Sequence, residues 1–69
     1  MKKLTKNEVI ARVTAIRALK SDDEAAHAAE DALYRDVLTA VAEGNAEEPV
    51  GVARIALGTQ RIKFKRHCA

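Results

Sequence analysis

Residues 21–44 read SDDEAAHAAEDALYRDVLTAVAEG, and this stretch decides the fold. Ser21 and Glu24 stand at capping-box spacing, and Asp22, Asp23 and Glu24 set acids against the positive end of a helix dipole. Neither proline nor glycine interrupts from Asp22 to Glu43, and alanine, the strongest helix former, recurs throughout. Gly44 supplies a left-handed stop, with Asn45 behind it. A helix over about 22–43 follows. At about 100° per residue, Ala26, Ala29, Leu33, Val37 and Val41 share one face, and Glu30 falls inside it.

Before this stretch, Thr5 and Glu8 form a second capping-box pair, flanked by Leu4 and Val9 at the positions of a hydrophobic staple. Val9, Val13, Ile16 and Leu19 then write an apolar stripe that predicts a helix over about 6–20. Ala11, Ala15 and Ala18 line much of its other side, a pattern that suits a helix packed on both faces. The junction at Lys20-Ser21 leaves almost no loop, so the two helices turn sharply into an antiparallel or strongly crossed pair. After the stretch, Pro49 suits a first helical position, and Val50, Ala53 and Leu57 share a face of a shorter helix over about 49–57. Gly51 weakens that helix by about 1 kcal/mol relative to alanine. Gly58 ends it. Residues 59–69 follow as a basic arm, in which Arg61-Ile62-Lys63-Phe64-Lys65 alternates with the two-residue period of extended chain. The expected fold is all-α: a small bundle of two long helices, a short third helix and an extended C-terminal arm.

At 69 residues the chain is one domain. Hydrophobic residues make up 48% of it, but fourteen of them are alanine and seventeen are bulky apolar side chains between Leu4 and Phe64. So thin a core makes a marginal monomer, and a homodimer or a target protein would supply the missing surface. No apolar run approaches the length of a membrane span, and the basic N-terminus leads into an amphipathic segment rather than a signal-peptide core. One cysteine forms no internal disulfide, which points to a reducing, cytoplasmic setting.

The net charge of +2 conceals three blocks. Residues 1–20 carry six Lys/Arg and one acid, residues 21–48 carry nine acids and one arginine, and residues 49–69 carry five Lys/Arg and no acid. Such a chain satisfies itself by folding its basic ends onto its acidic middle, or does so across a dimer or on a partner.

The centre of the long helix offers the sharpest constellation. His27, Glu30, Asp31 and Tyr34 lie three and four residues apart and suit one polar cluster at the edge of the apolar stripe. A carboxylate on an apolar face needs a partner, and Glu30 is expected to be partly buried and paired with Arg12, Arg17 or a basic residue of another chain. Glu24 and His27 also stand at the Glu-x-x-His spacing of di-metal bundles, with His67 and Cys68 as further donors. Those bundles use two such motifs and additional glutamates, and only one is present here. Cys68 is the only thiol, and its adjacency to His67 does not make a nucleophile–base pair. No phosphate-binding glycine loop occurs. The chain does not read as an enzyme, and no cofactor or metal is expected.

Binding remains. Arg61, Ile62, Lys63, Phe64, Lys65 and Arg66 are the candidate partner-binding residues, with the apolar pair as anchors. The alternative is a small nucleic-acid-binding regulator that sets Lys2, Lys3, Lys6 and the basic arm against phosphates. Against it stand the acidic long helix and a supply of only two aromatics, Tyr34 and Phe64.

The run Asp22 to His27, then Glu30-Asp31 and Leu33 to Leu38, resembles small phage- and prophage-encoded proteins of uncharacterised function. The ending, with Ala56-Leu57, Thr59, Ile62, Phe64, Arg66 and Cys68-Ala69, is similar to the close of the same family. His67 stands where that pattern has a tryptophan, and Lys63 where it has an acid. The resemblance implies a phage accessory protein that acts by binding a host or phage protein, as an inhibitor of a host process or defence system.

Overall fold

A computed structural model describes residues 3–66. Three α-helices run in order among these residues: α1 Lys6–Ala18, α2 Asp23–Ala42 and α3 Pro49–Leu57, and a 3-10 turn, Gly58–Arg61, closes the series. The fold is all-α, as the periodicity predicts, and each helix touches the other two.

α1 begins where its capping box places it. The Thr5 hydroxyl accepts from the Glu8 amide at 3.1 Å, and the Glu8 carboxylate accepts in return from the Thr5 amide at 3.3 Å. Thr5→Ala should therefore cost about 1 kcal/mol in a thermal melt, and Thr5→Ser should cost little. Equal melting of all three proteins would show that the cap is dispensable. α1 ends at Ala18, short of the expected residue 20, because the Leu19 amide turns back to Ile16 and the Lys20 amide to Arg17. α2 is capped by Asp22, whose side chain accepts from the Ala25 amide at 3.1 Å; the expectation that Ser21 caps it is corrected by one residue. Its C-terminus is a Schellman motif. Gly44 sits at φ 73°, its amide bonds to Val41 and the Asn45 amide to Ala40.

Residues 45–48 then return past the start of the chain. Leu4 and Ala46 form an isolated parallel bridge, with Leu4 N–H donating to Asn45 O and Glu47 N–H to Leu4 O, each at 2.8 Å. This ties the entry of α1 to the loop before α3. Lys6 adds an ion pair to Glu48 at 3.1 Å. Gly51 faces the same place, and a Cβ there would stand 3.1 Å from Lys6 Cδ. Glycine thus leaves room for the Lys6 side chain beside Glu48.

The core joins Val9, Val13 and Ile16 of α1 to Ala26, Leu33 and Val37 of α2, Val52 and Ala56 of α3, and Ile62. Two expected faces are corrected. On α2, Ala40 is buried and Val41 is 40% exposed, and on α3 the buried face is Val52, Ala56 and the following Thr59. Val50 and Leu57, expected to face inward, are 66% and 54% exposed. The third helix is apolar around most of its circumference, so its periodicity allows either face, and packing on α1 and α2 selects one. Ala11, Ala15 and Ala18 face solvent. The helical path also runs on past Gly58 through one 3-10 turn, so the extended segment begins at Ile62.

Candidate functional site

The expected polar cluster divides into two. Glu30, on the buried face of α2 at 3% exposure, meets Arg66 from the far end of the chain. Arg66 Nε donates to Glu30 Oε1 at 2.9 Å and its Nη2 to Oε2 at 3.0 Å, the two-pronged grip that a guanidinium makes on a carboxylate. The same Nη2 also donates to the carbonyls of Thr59 (2.7 Å) and Ile62 (3.0 Å). Tyr34 Oη lies 3.5 Å from Glu30 Oε2 and shares a hydrogen bond with the buried Thr59 hydroxyl. Burial opposes ionisation of Glu30, but the bonds from Arg66, Thr59 and Tyr34 outweigh it and hold the carboxyl below its usual 4.5. The same contact raises the Arg66 guanidinium further above its ordinary value.

Asp31 faces outward instead, 3.7 Å from the half-buried His27 one turn before it on α2. Arg12, an expected partner of Glu30, pairs with Asp36 at 2.7 Å, and Arg17 lies elsewhere on α1. Sequence reasoning identifies Glu30 as a carboxylate in need of a cation but misses Arg66 and Thr59. The missed signal is the tail's only arginine beyond the 3-10 turn, placed to fold back on the acidic helix.

The six arm residues do not present one surface. Ile62 is 4% exposed and belongs to the core. Phe64 packs against that core and lies under the Arg66 guanidinium, 3.9 Å from its ring centre. The Lys65 amide donates to Asp23 at the start of α2. Arg61, Lys63 and the Lys65 side chain face solvent. The arm is therefore the fourth wall of the domain, and the basic tail meets the acidic helix within one chain. Lys2, His67 and Cys68 lie outside the described residues. Among the described residues no group of three His, Cys, Asp or Glu is placed to hold a metal ion, and no helix is long and apolar enough to cross a membrane.

Two open surfaces flank α3. Between α2 and α3 runs an apolar groove of about 270 Å³, lined by Tyr34, Val37, Leu38, Ala53, Ala56 and Leu57. Leu38 is 69% exposed, and Val41 and Val50 extend the same outward faces of the two helices. Between α1 and α3 lies a cleft of about 390 Å³ whose walls carry Arg17, Arg54 and Arg61 over Ile10, Val13 and Ile55, with Thr14 and Gly58. The two share no lining residue.

Fold and surfaces together define a small all-α domain in which the buried Glu30 is paired with the half-buried Arg66, with two open faces. Compared with known protein families, curated proteins and solved structures, the chain matches none.

Proposed function

We propose that this chain is a protein-binding module of phage type, which self-associates through its α2–α3 face and acts on a host or phage protein in the cytoplasm. One observation carries the reading: Leu38, Val50 and Leu57, three of a limited stock of bulky apolar residues, are spent on the surface instead of the core. Side chains of that kind gain about 1.5–3 kcal/mol each on full burial, so a surface that gathers them is suited to another protein. A second copy is the matching occupant, because apolar faces without charged lining residues meet about a two-fold axis with no charge left buried and unpaired. The exposed alanines of α1 offer much less area. The phage-type origin and the class of target rest on the resemblance read in the sequence alone, and the single cysteine fits a reducing compartment.

The nucleic-acid alternative loses support from the arm. Arg66 is engaged with Glu30, and the Phe64 ring lies under the Arg66 guanidinium instead of standing free for stacking.

Light scattering across a dilution series tests the reading. At micromolar concentration the expected mass is twice the 7.5 kDa of one chain. The double variant Leu38→Glu/Leu57→Glu should be a folded monomer, since both side chains are already exposed. Capture from host lysate after nuclease treatment should retain one stoichiometric protein. A wild-type monomer that stays cooperatively folded and captures nothing once nucleic acid is digested would sink the proposal.

A further inference from the structure

The cleft between α1 and α3 points to the chemistry of the target. Three arginines, Arg17, Arg54 and Arg61, and no acidic residue are among those that line it. Outside the cleft, two of the three arginines are neutralised within the chain, and Arg35 on α2 is the one that is not, among the described residues. Arg12 is paired with Asp36 and Arg66 with Glu30, whereas Arg17, Arg54 and Arg61 have no ion-pair partner among the described residues. Three like charges gathered around one cleft repel one another, and an anion seated between them relieves that repulsion while accepting forked N–H donors. The walls are not wholly polar. Ile10, 48% exposed, and Ile55 line the same cleft and give it an apolar floor.

We infer that this cleft is a docking site for an acidic segment of the partner protein, in which carboxylates meet Arg17, Arg54 and Arg61 while an aliphatic side chain between them seats on Ile10 and Ile55. The inference rests on the reading of the chain as a protein-binding module and names the partner's chemistry at a second surface. Carboxylate and phosphate both suit an arginine fork, and the apolar floor decides between them. A phosphodiester backbone has nothing to place there, and no aromatic residue lines the cleft to stack a base. An acidic peptide with interspersed leucines uses both parts of the site. Its affinity for such a segment derives from charge and a small apolar contact together.

The test uses the intact protein and a fluorescein-labelled hexapeptide, Glu-Leu-Glu-Glu-Leu-Glu, followed by anisotropy and by amide chemical shifts. An all-glutamate hexapeptide and a twelve-nucleotide oligothymidine are the comparisons. Binding of the leucine-containing peptide is expected, with shifts gathered on Thr14, Ile55 and Gly58 and affinity falling as salt is raised. Arg54→Glu/Arg61→Glu should weaken it by roughly tenfold or more. The all-glutamate peptide should bind several times more weakly than the leucine-containing one. Tighter binding of the oligonucleotide, equal binding of the two peptides, shifts centred on Leu38 and Leu57, or no binding by the folded protein would each overturn the inference. The two arginines lie outside the α2–α3 groove, so the double variant should still self-associate. Loss of the cleft and loss of the dimer are thereby read separately.

Discussion

Replacing Arg66 by alanine should destabilise the domain by about 3 kcal/mol, because it leaves an ionised carboxylate buried without its cation. For a chain of this size that corresponds to a fall in melting temperature of roughly 12 °C or more. The partner substitution is milder. Glu30→Gln should cost about 1–2 kcal/mol, because the Arg66 side chain left behind is 32% exposed and takes up water, whereas the Glu30 side chain is 5% exposed. This asymmetry distinguishes a buried pair from a surface one, whose two halves would count equally and little.

The same pair sets a pH dependence whose sign reverses in the variant. With Arg66 present, the Glu30 carboxyl lies below its usual 4.5 in the folded state. Its ionised form then contributes stability above that value, which is lost as pH falls through the folded-state value. Without Arg66, burial dominates and the folded-state carboxyl moves above its unfolded value. Whatever stability the protonated form retains is then lost as pH rises through that raised value. The gap between wild type and Arg66→Ala should therefore widen from about pH 4 to pH 7. A constant gap in denaturant melts over this range would show that Arg66 acts through packing on Phe64 alone.

How far these features can be read in advance follows from the distance over which each is specified. α1 and the body of α2 are written in local chemistry: Thr5 with Glu8, the acids after Ser21, the unbroken alanine-rich run and the glycine at residue 44 each act within a turn of where they stand. Glu30 is legible as an anomaly, a carboxylate inside an apolar stripe, and the anomaly states that a cation must come. It does not state which one. Arg12 is an expected partner from the neighbouring helix, but Arg66 closes a contact 36 residues away, through a turn at Thr59 and Ile62 whose carbonyls also need donors. The inward face of α3 is illegible for a different reason. Val50, Val52, Ala53, Ile55, Ala56 and Leu57 leave little polar surface to mark the outside, and α1 and α2 choose between faces that the sequence leaves nearly equivalent.

Ile62 carries this reasoning to its sharpest test, since alternation alone reads it as one anchor of an exposed arm. In the fold it is 4% exposed and joins residues from all three helices in a single cluster. Ile62→Ala should then cost about 2–4 kcal/mol, the range for emptying a core site that collapses only partly. Phe64→Ala should fall below that, because its ring is half-buried and shares its cover with Arg66. Lys63→Ala, at an exposed position between them, should stay within about 0.5 kcal/mol of wild type. Denaturant unfolding of the three variants decides the matter without any partner present, which separates folding from binding. A graded loss in the order Ile62, Phe64, Lys63 makes the arm a structural wall that reaches the partner only through its outward cations. Unchanged stability in all three, with partner capture lost only in the two apolar variants, would return the arm to a free recognition segment.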